Sequence, residues 1–273
     1  MIPRGVVTVI QARVASTRLP GKVLLPLGGM TVLERQLERV RAASLAGTVV
    51  VATTVDRADD AIERVCERAQ ARCIRGHPTD LLERHRQAAA RFDAQHVVKI
   101  PSDCPLIDPQ VIDSVIAHYL LHEGALDYVS NLHPATEPDG NDVEIFSRDA
   151  LERAASEARK PHEREHTTPF LWDQPERFRI GNVRRADGRD LSLSHRIVLD
   201  YAADYAVIGH VFVALWVEDP GFRVDDIIVW LDAHPRIAAL NAGYRGVNWY
   251  RDHLSDLRTV SATDTRVPAA VPR

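Results

Sequence analysis

The 273-residue chain is poor in cysteine, and Cys66, Cys73 and Cys104 form no C-x-x-C pair, a pattern that fits a reduced, cytoplasmic compartment. It has no run of about 18 consecutive apolar residues, so no membrane helix is expected. The opening MIPRGVVTVIQAR has no apolar h-region followed by a small-residue cleavage site and passes directly into a strand-like run. Internal repeats and low-complexity stretches are absent. The formal net charge of −4 argues against a general nucleic-acid coat. A P-loop is excluded because Gly21-Lys22 is followed by Val23, outside the G-x-x-x-x-G-K-[ST] pattern. What remains is an ordinary globular composition, 45% hydrophobic with mixed charge.

One local shortage is more informative. No carboxylate occurs before Glu34, yet Arg13, Arg18 and Lys22 crowd a loop of small residues that follows the apolar run Val6 to Ile10. Guanidinium and ammonium groups give charge-assisted hydrogen bonds to phosphate oxygens, so this loop reads as a nucleotide-phosphate pocket with only a ligand to neutralise it.

Short apolar runs alternate with helix-period segments through the first half. Strands are expected at Val6 to Ile10, Thr48 to Thr53, Arg72 to Ile74 and His96 to Ile100. Helices are expected at Thr31 to Ala42, Arg57 to Ala71, Pro78 to Phe92 and Pro109 to His122, the last with Asp108 as N-cap and Pro109 in its first turn. Such alternation implies an α/β protein with a mainly parallel, Rossmann-like sheet covered on both faces, whose ligands sit beyond the carboxyl ends of the strands. The basic loop and Ser102-Asp103 then share one edge. Past residue 125 the rhythm changes. Strands are expected at Tyr128 to Asn131, Asp142 to Phe146, Arg179 to Val183 and His195 to Leu199, then helices at Ala202 to Trp216, Val224 to Ala233 and after Pro235. The expected organisation is one domain over 1–258, with a β-containing acceptor-side and dimerisation insertion at about 125–195, and a mobile tail over 259–273.

The loop RVASTRLPGK resembles the signature of the CMP-sugar synthetases, which activate acidic sugars with CTP, and more closely that of the spore-coat-polysaccharide type of cytidylyltransferase. The acylneuraminate and 3-deoxy-manno-octulosonate cytidylyltransferases are related. The likeness continues through VVVATTVDRADDA, SDCPLIDPQVID, YVSNLHPATEPDGNDVEIFS, HEREHTTPFL and RIVLDYAADY, in order, over roughly residues 6 to 245. It implies a nucleotide-diphospho-sugar transferase fold, CTP and Mg²⁺ as co-substrate and metal, release of pyrophosphate and a CMP-linked product; the inserted strands, separately, suit a homodimer. By the same likeness Ala12 and Arg13 lie against the nucleotide, Arg13, Arg18 and Lys22 meet its phosphates, and Ser16 and Thr17 complete the phosphate loop. Thr53 and the segment from Gly76 to Asp80 face base and ribose. Asp103 and Asp200 match the two metal-binding carboxylates. Asn131, Asp139, Asp142, Glu144 and Arg164 fall on the acceptor side.

Three positions depart from the family pattern: Ser102 stands where Gly is common, Ala202 where many relatives have Pro, and Lys99 where Arg is frequent. None removes a phosphate or metal ligand. Nucleotidyl transfer is an in-line attack on the α-phosphorus, carried by positioning and charge neutralisation, which suits this set of cations and carboxylates. Other readings are CMP transfer to a phosphonate or phosphorylated acceptor, a glycosyltransferase on the same fold, and a non-catalytic nucleotide-binding subunit. The lack of an Asp-x-Asp counts against the glycosyltransferase, and retention of Lys22, Asp103 and Asp200 against the last. His162 to His166 fits H-E-x-x-H, but Pro161 and Pro169 crowd it, and Asp187, Asp190 and His195 lie at no recognised spacing for a third zinc ligand. It reads as a short polar helix at the acceptor pocket or a subunit interface. Asp139 to Glu144 reads as a turn feeding a strand and Cys104 as a small packing residue. The Arg-rich helices (Arg35, Arg39, Arg41; Arg84, Arg86, Arg91) read as solvated faces.

Overall fold

The computed structural model describes residues 5–268. From the N-terminus come β1 (Val6–Gln11), a small hairpin of β2 (Pro26–Leu27) and β3 (Met30–Thr31), α1 (Val32–Ala42), β4 (Thr48–Thr54), α2 (Asp60–Arg68), β5 (Arg72–Gly76), α3 (Leu81–Arg91), β6 (His96–Pro101) and α4 (Pro109–Leu121). The second half adds β7 (Tyr128–Ser130), β8 (Glu144–Ser147), α5 (Arg148–Glu157), α6 (Pro161–His166), α7 (Pro169–Trp172), β9 (Ile180–Asn182), α8 (Ala202–Trp216), α9 (Val224–Ala233) and α10 (Pro235–Ala238).

Seven strands form one sheet in the order β5-β4-β1-β6-β8-β7-β9. The first four are mutually parallel, β8 runs antiparallel to both β6 and β7, and β9 is parallel to β7. Alternation along the central strands divides the core between two faces. Val6 and Ile10 of β1, Val49 and Val51 of β4, and Val98 and Ile100 of β6 pack towards α1, α2, α4, α8 and α9. Val7, Val9, Val50, Ala52 and Val97 pack towards α3, α5 and α7. The chain winds outward from β1 to β4 and β5, then returns to place β6 on the other side of β1. The order therefore reverses beside β1, and a crevice opens where the carboxyl ends of β1 and β6 diverge.

Local chemistry sets the boundaries. Thr31 caps α1 by accepting from Glu34 N (3.2 Å) while Glu34 Oε2 accepts from Thr31 N (2.8 Å), which is where the first carboxylate of the chain is engaged. Asp108 caps α4 as expected. Two expected helices begin later than their patterns suggest. Residues 57–59 form a separate 3₁₀ turn before α2, and α3 starts at Leu81 because Asp80 caps it, accepting from Glu83 N at 2.9 Å. The strand expected at His195 to Leu199 does not form. That segment is extended but makes one bridge, Asp139 to Arg196, with Ile197 N donating to Asp139 O (2.8 Å) and Leu199 N to Asp103 O (2.7 Å). Its partners are loops and not a neighbouring strand. Gly140 sits at φ +113° against this segment, where a Cβ would lie 2.6 Å from the Ile197 carbonyl carbon.

The tail expected to be mobile from Thr259 is anchored over its described part. Thr259 N and Oγ1 donate to Asp173 Oδ1 (2.7 and 2.9 Å), and Arg266 N donates to Gly246 O (2.8 Å). Residues 269–273 of that tail lie outside the described residues. The Arg-rich helices are also not uniformly solvated. Arg35, Arg39 and Arg84 are buried, whereas Arg41 and Arg91 are exposed. Arg39 ties three elements together, donating to Ile107 O and Phe222 O at 2.8 Å each with its guanidinium 4.4 Å from the Phe222 ring.

Candidate active site

The crevice beside β1 is a cleft of about 200 Å³ lined by Ala12, Arg13, Ser16, Thr17, Arg18 and Lys22 from the basic loop. Ser102 and Asp103 after β6, Thr79 and Arg84 from the α3 side, and Glu165 and His166 of α6 complete the wall. The loop is folded on itself, with Ser16 N and Gly21 N both donating to Val14 O (2.8 and 3.0 Å). It is also latched from outside: Asp59, buried, accepts from Val14 N at 2.7 Å and from Thr54 N at 3.2 Å. Nothing in the sequence analysis singles out Asp59, although it lies within one of the matching blocks.

The loop cations do not wait for a ligand to neutralise them, contrary to expectation. Lys22 Nζ donates to Asp103 Oδ2 (3.1 Å) and Asp200 Oδ1 (2.9 Å), and Arg18 Nη2 lies 2.8 Å from the same Asp200 oxygen. Arg13 lies 3.6 Å from Glu165. Long-range folding supplies what the local sequence lacks. Burial opposes the charge on Lys22, but Asp103 and Asp200 override it and hold the ammonium above its ordinary pKa. Burial likewise pushes Asp103 up, and Lys22 outweighs it to keep the carboxyl below its usual range. Both are ionised at neutral pH.

Behind this pair sits Arg196, whose side chain is fully buried. It donates to Asp204 Oδ1 (2.9 Å) and Asp139 Oδ2 (2.7 Å) and reaches Asp200 Oδ2 at 3.4 Å. Asp204 also accepts from Asp200 N and Tyr201 N (3.0 and 2.9 Å), fixing the turn into α8 with no proline at Ala202. Asp142 is half-buried, and burial followed by the Asp103 charge pushes its carboxyl up to about 7.

Several expected residues are placed elsewhere. Thr53 is buried inside β4, and Gly76 lies against Arg84, where a Cβ would meet Arg84 Cγ at 2.7 Å. Gly76 thereby leaves room for Arg84, which donates to Ala52 O at 2.9 Å. Asp80 and Arg164, expected on opposite sides of the site, pair with each other at 2.6 Å. Asn131 is spent on bracing the 141–143 turn, donating to Asn141 O (2.7 Å) and accepting from Val143 N (3.0 Å). Glu144 is buried against Lys99 and accepts from Tyr128 Oη at 2.7 Å. Cys104 is fully buried, and burial raises its thiol well above the ordinary value, so it packs and does not act as a nucleophile. Among the cleft residues that sequence reasoning missed are Arg84, set aside as solvated, and Glu165 and His166, given no role in the site.

This combination of an α/β sheet with a basic loop after β1 and converging aspartates is that of a nucleotidyltransferase. The chain belongs to the cytidylyltransferase family, whose model matches residues 7–213. It is therefore a CTP-dependent nucleotidyltransferase. Among solved structures it is similar to a cytidylyltransferase from Leptospira borgpetersenii serovar Hardjo-bovis, at 32% identity and TM-score 0.81, covering 86% of this chain and 96% of that one. It is 27% identical over 235 residues to the spore coat polysaccharide biosynthesis protein SpsF of Bacillus subtilis, covering 84% of this chain and 95% of the relative. A shorter match, 38% identical over 113 residues, links it to the 3-deoxy-manno-octulosonate cytidylyltransferase of Geobacter sulfurreducens, covering 41% of this chain and 44% of the relative. No helix among the described residues is long and apolar enough to cross a membrane.

Proposed function

We propose that this enzyme transfers CMP from CTP to a sugar or sugar-like acid, releasing pyrophosphate, with Mg²⁺ as its metal. The observation that carries the reading is Lys22 Nζ within 3.1 Å of both Asp103 and Asp200, residues brought together from three distant parts of the chain. A point where a cation already bridges two carboxylates is a point where a divalent ion fits, and carboxylate oxygens are the donors Mg²⁺ prefers. When bound there with the triphosphate, the metal would neutralise charge on the phosphate oxygens.

The remaining work falls to the chain. Arg18 and Lys22 exchange their carboxylate partners for the β- and γ-phosphates and stabilise the charge that leaves with pyrophosphate. Arg13 turns from Glu165 to the nucleotide, Ser16 and Thr17 line its phosphates, and Ala12 leaves room for close approach. Ser102 and Arg84 border the nucleoside, with Thr53, Gly76 and Asp80 supporting that wall from behind. Arg196 keeps Asp200 aimed at the centre. Asp139 and Asp142 face the acceptor, with Asn131, Glu144 and Arg164 holding the pocket's walls. The names of the spore-coat and octulosonate relatives support an acidic sugar destined for a polysaccharide. Cytoplasmic location and a homodimer belong to the same proposal.

The test is pyrophosphate release with each nucleoside triphosphate and Mg²⁺ across a panel of sugar acids, sugar phosphates and phosphonates, with the adduct identified by mass. The proposal requires release that depends on both CTP and a sugar acid, giving a CMP adduct. An adduct formed only with a phosphonate or sugar phosphate would transfer the acceptor assignment to that class.

A further inference from the structure

His162, one helical turn before His166 on the same face of α6, comes together with His253 and Asp256. One ligand atom from each lies within 4.8 Å of the others. The two imidazoles are 4.9 Å apart between centroids, and His253 Nδ1 is 3.9 Å from Asp256 Oδ2. Tetrahedral zinc with bonds of about 2.0–2.2 Å separates its ligand atoms by about 3.4 Å, so closure needs small movements. The side chains free to make them are present. His162 is buried, while the side chains of His253 and Asp256 are 29% and 54% exposed. The turn that carries them is preset, because Asp256 N and Leu257 N both donate to His253 O (2.9 and 3.1 Å).

We infer that His162, His253 and Asp256 form a zinc-class divalent metal site, with water as fourth ligand, that staples the C-terminal segment to α6. Two nitrogens and one carboxylate oxygen suit Zn²⁺ and not Mg²⁺. The site is structural and not hydrolytic. Glu163, the base of an H-E-x-x-H protease, instead accepts from Arg159 N and Lys160 N at 3.0 Å each. His166, the other histidine of that pattern, is turned to the cleft and stacks on Trp249 at 3.8 Å. A metal on His162 and His253 therefore clamps Trp249 against His166 and stiffens the wall that Glu165 and His166 contribute. The zinc pattern in the sequence thus contributes one ligand, and its partners lie in a segment that no motif marks.

The test uses full-length, tag-free protein stripped with chelator, then titrated with Co²⁺ or Zn²⁺ in excess Mg²⁺ without nucleotide. The expected result is one equivalent bound, with the visible absorption of low-coordinate Co²⁺, and an affinity about a hundredfold weaker in His253→Ala and in Asp256→Ala. Zn²⁺ should also slow tryptic cleavage after Arg251 and Arg258 in the wild type and not in His253→Ala. His118→Ala serves as the control, since His118 of α4 and His122 just past its end are a competing imidazole pair at 4.6 Å. No binding by the wild type, or binding that survives both the His253 and Asp256 substitutions and is lost in His118→Ala, would overturn the inference. Because the readout is metal binding without CTP, its failure leaves the transfer reaction untouched.

Discussion

Replacing Lys22 by alanine should have two effects of opposite sign. In the nucleotide-free protein the ammonium is shared by Asp103 and Asp200, so it competes with a divalent ion for those oxygens. Removing one member of a buried ion pair costs about 3–5 kcal/mol. The lower end applies here, since Arg18 and Arg196 still face Asp200 and the Asp103 side chain is 24% exposed. The variant should therefore be less stable by about 3 kcal/mol. Addition of Mg²⁺ or Mn²⁺ should restore part of that loss, with metal affinity at least roughly tenfold tighter than in the wild type, about 1.4 kcal/mol. Catalysis should move the other way. Loss of a preorganised cation at the leaving phosphates lowers kcat by about 10²–10³-fold and raises the CTP requirement. Thermal unfolding with and without Mn²⁺, together with steady-state pyrophosphate release, measures both. Unchanged metal affinity, or an effect confined to the acceptor's KM, would refute the reasoning.

Three further outcomes can be checked. Asp103→Asn and Asp200→Asn should each lower turnover by about 100-fold or more while leaving the fold intact by circular dichroism; a near-normal rate in either would remove that residue from the centre. His85 is fully buried, and burial depresses its pKa to about 3, so the unfolded chain takes up its proton first as pH falls. Stability from this group is complete above about pH 6.5 and declines below it, by about 2 kcal/mol at pH 5, a decline that denaturant titrations should find reduced in His85→Gln. Arg39→Met should cost about 2–4 kcal/mol by stranding the Ile107 and Phe222 carbonyls, whereas Arg41→Met on the exposed side of the same helix should stay within about 0.5 kcal/mol.

The first half of the fold is legible because its central strands are buried on both sides and a local start signal such as Asp108 marks a helix. The second half is harder to read for physical reasons. His195 to Leu199 has the composition of a strand, but Arg196 must face three aspartates, so its backbone pairs with loops. α5 follows Ser147, which caps it by accepting from Ala150 N at 3.0 Å, in a stretch where no helix was expected. In the site, Arg18, Lys22, Asp103 and Asp200 stand in short motifs that the sequence displays, and the fold brings them together. Their charge balance could not be read, because Lys22 finds its counter-ions 81 and 178 positions away. Arg84 illustrates the same limit, since its place in a charged helix looks solvated until the sheet end covers it.

The bond from Asp59 to the backbone of Val14 bears on how such enzymes can be recombined. The shape of the phosphate loop is not self-contained, since part of it is held by a carboxylate from another block of the chain. A loop exchanged between two relatives with its own residues alone would arrive unlatched unless the recipient keeps an acid at that remote position. Chimaeras that move residues 12–22 together with 54–59 should retain the loop's shape where a transplant of the loop by itself does not.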